Sequence, residues 1–153
     1  MNITIIYATY SNSTALASEY LAKVFRDAGH TTSVVTALDS AIETFQDPDL
    51  LILASPSWDY NGQQGMPHED FSTIQPRLES VSLKGKPTAV MALGDSSFTY
   101  FCGAATHLSQ WLTGKGGVEA VSPLKIDQYY ANEALAQQQI TDWSKQLLAK
   151  LTN

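Results

Sequence analysis

"YATYSNSTALASEYLAK", residues 7–23, decides how the chain begins to fold. Ile3, Thr4, Ile5, Ile6 and Tyr7 are β-branched or aromatic, the composition of a strand. Leu16, Ala17, Tyr20, Leu21, Val24 and Phe25 then recur at helical spacing. Between strand and helix stand Thr9, Ser11, Asn12, Ser13 and Thr14, a run of small hydroxyl and amide side chains. Taken alone, such a turn reads as a helix N-cap. It also offers hydroxyls and helix-end N–H groups together, which suits an anion.

Further along, apolar runs at residues 33–35, 49–54, 88–93 and 118–124 alternate with stretches that read as helix or loop. The alternation predicts five parallel strands with right-handed crossovers, a doubly wound α/β sheet with helices on both faces. Leu50, Leu51, Ile52, Leu53 and Ala54 show no polar alternation, as a central strand buried on both faces requires. Gly29 is placed for a left-handed C-cap, and Lys84-Gly85-Lys86-Pro87 reads as a turn. A last helix is expected over residues 132–151, with Leu135, Ala136, Ile140, Trp143, Leu147 and Leu151 on one face.

Composition excludes several classes of function. The 153 residues, 44% of them hydrophobic, fit a single domain over 1–153 with one core. A net charge of −6 argues against nucleic-acid binding and favours a cationic partner surface. Cys102 is the one cysteine, so no intramolecular disulfide forms, and His30, His68 and His107 have no metal-ligand spacing. There is no basic leader, and no apolar run approaches the roughly 20 residues of a membrane span. A reducing, cytoplasmic location is expected.

In a doubly wound sheet, ligands bind where strand order reverses, at the carboxyl ends of the strands. Three loops meet there: residues 9–14, residues 55–71 ("SPSWDYNGQQGMPHEDF") and residues 94–103 ("GDSSFTYFCG"). Trp58 in the second and Phe98 and Tyr100 in the third could flank a flat ring, while the first loop suits a phosphate. A ring joined to a phosphate is flavin mononucleotide (FMN). Each member of the set has a plainer reading. Trp58 alone fits a core or interface, Cys102 a small buried hydrophobe, Trp111 and Trp143 core stripes, and His68 and His107 surface or hydrogen-bonded positions. Tyr129 and Tyr130 are left unassigned. What favours the ligand is that three separate loops each carry what it needs.

Over nearly its whole length the chain is similar to the short-chain flavodoxin family. In that family the first loop has the form [ST]-x-[ST]-G-x-T, and Thr9, Ser11 and Thr14 match its hydroxyl positions. The resemblance implies a flavodoxin-like sheet of order 2-1-3-4-5. It implies that residues 9–14, including Tyr10, Asn12 and Ser13, bind the FMN phosphate. Trp58 would cover the inner flavin face from a loop that also brings Ser55, Pro56, Ser57, Asp59, Tyr60 and Gly62 to the cofactor. Phe98 would stack on the outer face, with Gly94 and Phe101 beside it and Asp95, Tyr100 and Cys102 at the pyrimidine edge. Leu124-Lys125-Ile126-Asp127 follows the fifth strand without the insertion of the long-chain subclass.

Three departures stand out. Asn12 replaces a usual Gly, and Asn is the least costly substitute where φ is positive. Phe98 replaces a usual Tyr and keeps the ring without the hydroxyl. Asp59 replaces a usual Gly or Asn, making a peptide turn harder there, and with Glu69, Asp70 and Asp95 it adds negative charge near the ring.

The implied function is an electron carrier without substrate turnover of its own. It would pass single electrons as a monomer between a basic-surfaced flavodoxin reductase and redox acceptor proteins. An FMN-dependent quinone-type oxidoreductase is the nearer alternative, but it needs room above the ring that Phe98 would obstruct. A flavodoxin-like interaction module that has lost FMN is the other, and it rests on Asn12. A phosphoacceptor receiver domain is rejected: Ala8, Thr9 and Ser55 stand where it needs acidic residues.

Overall fold

The structure, a computed structural model, describes all 153 residues. In chain order the elements are β1 (Asn2–Tyr7), α1 (Ser13–Asp27), β2 (Thr31–Thr36), α2 (Ile42–Gln46), β3 (Leu50–Tyr60) and β4 (Gln63–Pro67). There follow α3 (Glu69–Ile74), β5 (Pro87–Gly94), α4 (Ala104–Gly114), β6 (Val118–Glu119), β7 (Leu124–Asp127) and α5 (Glu133–Thr152). Gly29 just past α1 has φ +88°, the left-handed conformation expected of it.

The parallel strands run β2-β1-β3-β5, and β6 and β7 both pair with β5. Counting β6 and β7 as two halves of one strand gives the expected order 2-1-3-4-5. The break between them spans residues 120–123 and includes Pro123, which has no N–H to give a ladder. Leu124–Asp127, expected to follow the fifth strand, is instead its carboxyl half, with Met91 opposite Leu124 and Gly94 opposite Asp127.

A second addition concerns β3. It does not stop at Ala54 but continues to Tyr60 and pairs antiparallel with β4. Asn61 (φ +51°) and Gly62 (φ +74°) form the two-residue turn between Tyr60 and its partner Gln63. Asn-Gly with both φ positive is the favoured connection for a tight hairpin, because its twist matches that of the strands. The sheet is therefore parallel throughout except for this projecting arm.

Side-chain alternation divides the core between the two faces of the sheet. Leu50, Ile52 and Ala54 face one layer with Phe25 of α1 and Trp143 and Leu147 of α5. Leu51 and Leu53 face the other with Phe45 of α2 and Leu108 and Leu112 of α4. All five β3 residues are buried, so truncating any of the leucines to alanine would cost about 2–5 kcal/mol. That central rigidity fixes the carboxyl ends of β1, β3, β5 and β7 along one edge, where their loops converge. No helix is long and apolar enough to cross a membrane.

Candidate functional site

Asn12 is the residue on which the first loop turns. It has φ +71° and ψ −3°, and its carbonyl accepts the first helical bond, from Leu16 N–H at 3.0 Å. Its side chain does not cap α1, and neither does any other, so the N–H groups of the first turn carry the partial positive charge of the helix end uncompensated. The Oγ1 atoms of Thr9 and Thr14 lie buried beside this end with no hydrogen-bond partner, although buried hydroxyls are normally paired.

Tyr10 leaves the loop in the other direction. Its ring stacks on His68, its hydroxyl donates to the Glu69 carboxylate, and Trp58 lies 5.2 Å away between ring centroids. His68 is buried, and its Nδ1 accepts from Asp70 N–H at 3.0 Å. Burial holds its pKa below the usual histidine value, against the opposing pull of the Asp70 carboxylate and the Thr9 carbonyl. Ser55, fully buried, accepts from His68 N–H at 2.9 Å and donates to the Pro56 carbonyl. It is thus a joint between β3 and α3.

The β3–β4 arm leans on the loop after β5 through two glycines. A Cβ on Gly103 would stand 2.5 Å from the Gly65 carbonyl oxygen, and one on Gly65 would stand 2.7 Å from Tyr100 Cβ. Only hydrogen at both positions lets the arm approach this closely. The arm and this loop together bring Trp58 (57% exposed) and Phe98 (64% exposed) to the lining of one crevice of about 560 Å³. The loop holding Phe98 is pinned by carboxylates. Asp127 accepts from Ser96 N–H (2.8 Å) and Oγ (2.6 Å), and Asp95 accepts from Ser97 N–H (2.9 Å) and Oγ (2.6 Å). These donors hold the Asp95 pKa below its usual value. At the floor, burial pushes the Cys102 thiol up to about 12, and its Sγ sits 3.4 Å from the Ala92 carbonyl, so it behaves as a small core side chain.

With this geometry in view, the family model described as "Flavodoxin" matches residues 5–143. The chain belongs to the flavodoxin family. The flavodoxin of Maridesulfovibrio salexigens is 30% identical over 125 residues, covering 80% of this chain and 84% of that one. Among solved structures, oxidised flavodoxin 2 of Bacillus cereus superposes with a TM-score of 0.84 at 25% identity, covering 98% and 99% of the two chains. A Fusobacterium nucleatum flavodoxin bound to flavin mononucleotide superposes at 0.81 and 20% identity, covering 97% and 98%.

Against the flavodoxin pattern, Ser11, Ser13, Pro56, Ser57, Trp58 and Asp59 line the crevice from the first two loops. Gly94, Asp95, Phe98, Tyr100 and Cys102 line it from the third. Thr9, Asn12 and Thr14 do not line it: Asn12 makes the turn into α1, and the Oγ1 atoms of Thr9 and Thr14 are buried beside it. Tyr10 and Ser55 bind the loops to α3, while Tyr60 and Gly62 lie at the end of the arm. Phe101 packs against the core layer of α4. Glu69 and Asp70 are engaged with Tyr10 and His68 and do not line the crevice.

Five lining residues fall outside the three expected loops, Leu93 of β5 and Gln128, Tyr129, Tyr130 and Ala131 after β7, while Gln64 and Gly65 of β4 line the crevice from a part of the second loop that was not singled out. The Asn-Gly pair at 61–62 carried the signal for Gln64, since it announces a hairpin that folds back. No comparable signal marks Tyr130, whose place depends on where the fifth strand ends.

Proposed function

We propose that this flavodoxin-family chain binds FMN and carries single electrons, acting as one domain without turning over a substrate of its own. The observation that carries the reading is the pairing of two unlike ends in one crevice. Ser11 and Ser13 line it beside the uncapped N-terminus of α1, with the unpartnered hydroxyls of Thr9 and Thr14 behind them, and the exposed rings of Trp58 and Phe98 line it from the other two loops. A phosphate accepts hydrogen bonds from hydroxyls and helix N–H groups and needs no lysine. A flat tricyclic ring gains most from aromatic faces on both sides. The residues present therefore fit FMN.

Bound FMN supplies one-electron redox chemistry. The chain's part is to hold the phosphate with residues 9–14, orient the ring between Trp58 and Phe98, and shield its faces while one edge stays open. Phe98 on the outer face leaves little room for a nicotinamide, which favours a carrier over a quinone-type reductase. The net charge of −6 suits transient docking of a monomer with a basic-surfaced reductase and with redox acceptor proteins in the cytoplasm.

The test is to titrate the cofactor-free protein with FMN and follow flavin fluorescence and absorption. Stoichiometric quenching with a shifted visible spectrum is expected, weakened by Thr14→Val and altered in spectrum by Trp58→Ala. Unquenched flavin would reject the reading and leave an interaction module on the same fold.

A further inference from the structure

The turn after β7 does more than close the sheet. Gln128 adopts a left-handed conformation (φ +46°), its N–H donates to the Gly94 carbonyl at 2.9 Å, and its Nε2 donates to Asp95 Oδ1 at 3.3 Å. Two residues on, the Tyr130 hydroxyl donates to the Ser11 carbonyl in the first loop. One short turn is thereby bonded to both ends of the crevice, at the ring loop through Gln128 and at the anion loop through Tyr130. Its anchor is Tyr129, which is buried in the α5 core layer and meets the Tyr130 ring edge-on at 5.7 Å. Tyr130 itself is 57% exposed, so its position is not dictated by core packing.

The chemistry of the Ser11 carbonyl gives this bond a role. Its oxygen carries partial negative charge at the place where an anion is to be held, and a peptide is planar, so fixing its C=O also fixes the Asn12 N–H of the same unit. Asn12 has the positive φ of this turn, the point of the loop with the least intrinsic preference for its conformation. We infer that Tyr130 is a positioning residue for the phosphate end of the bound flavin nucleotide: it occupies the Ser11 carbonyl and holds the 11–12 peptide in the anion-accepting orientation. This inference rests on the FMN reading above and adds to it a residue outside the three expected loops.

The experiment compares the whole protein with Tyr130→Phe, which keeps the ring and removes only the hydroxyl, and with Tyr130→Ala. FMN affinity is measured by fluorescence quenching. The bound phosphate is followed by phosphorus NMR and the ring by its visible spectrum. Losing one net hydrogen bond predicts an affinity about three- to tenfold weaker for Tyr130→Phe, with a moved phosphorus line and an unmoved ring spectrum. Tyr130→Ala is expected to be weaker still, with an unfolding midpoint close to wild type. An affinity within twofold of wild type, an unmoved phosphorus line, or a ring spectrum that shifts together with it would overturn the inference. A wild-type protein that fails to bind FMN would instead overturn the cofactor reading on which it stands.

Discussion

The Tyr10 ring lies on the imidazole of His68, with centroids 4.0 Å apart and planes 26° from parallel. The pair ties the loop after β1 to the start of α3, where Nδ1 of His68 must be unprotonated to accept from Asp70 N–H. The Asp70 carboxylate, 3.6 Å from Nδ1, and Glu69, bonded to Tyr10, are the charged groups facing this cluster. Burial lowers the folded-state pKa below 6.5, so the unfolded chain takes up the proton first as pH falls. The stabilising contribution is therefore complete above the unfolded value and is lost in the window beneath it. The urea midpoint should fall between pH of about 7.5 and about 5.5, and His68→Gln should show a smaller fall. Equal falls in both proteins would remove His68 from the cause.

The contact between Gly65 and Gly103 predicts a sharp contrast between two glycines at opposite ends of α4. A methyl on Gly103 would press the Gly65 carbonyl at 2.5 Å, whereas a methyl on Gly114 would meet nothing within 4 Å. Gly103→Ala should cost about 1–3 kcal/mol by overpacking. Gly114→Ala should be neutral or stabilising by up to about 1 kcal/mol, because it removes unfolded-state freedom without a clash. Chemical unfolding of the two variants checks both signs. Because the clash parts the arm from the Phe98 loop, Gly103→Ala should also weaken FMN binding, and Gly114→Ala should not.

Asn12 offers a test of backbone conformation separate from contact. With φ at +71° and no side-chain cap bond, its side chain contributes little beyond tolerating the left-handed region. Asn12→Gly should therefore keep stability within about 1 kcal/mol and retain FMN binding. Asn12→Ala should lose about 1–2 kcal/mol, the cost of placing an ordinary L-residue there. If glycine and alanine both fell short of wild type by the same amount in unfolding and FMN titrations, the amide of Asn12 would have a direct role.

How much of this was legible in the sequence depends on how local each cause is. Leu50 to Ala54 declared a central strand because a segment buried on both faces needs apolar residues at every position, and all five are buried. Gly29 declared its C-cap for an equally local reason. The continuation of β3 to Tyr60 was hidden by Pro56 and by the loss of an apolar pattern, although Asn61-Gly62 marks the hairpin once strands are sought on either side. The interruption of the fifth strand follows from Pro123 and from the Trp143 indole, which donates to the Ser122 carbonyl at 2.9 Å, a tertiary bond that no local pattern encodes. Tyr130 was out of reach for the same reason, since its partner Ser11 lies at the other end of the chain. The three loops were found because one ligand chemistry linked them, and the fourth wall has no ligand signature of its own.

Asp59 sets the last expectation, which concerns the potential of a bound flavin. It lines the crevice next to Trp58 and is exposed, and its carboxylate has no hydrogen-bond or ion-pair partner in the protein. Negative charge at this position opposes the addition of an electron to the ring, so its removal should raise the midpoint potential. Asp59→Asn isolates the effect, because no donor is left without its acceptor. Asp95→Asn would raise the potential as well, but it also disturbs the Ser97 turn and should weaken FMN binding at the same time. Equilibration against a reference dye measures both. Through solvent the influence of Asp59 falls off over a Debye length, about 10 Å at 0.1 M salt, so the shift should shrink as ionic strength rises. A potential unchanged by Asp59→Asn at low salt would mean that the carboxylate points away from the ring, and any electrostatic lowering of the potential would then come from Asp95.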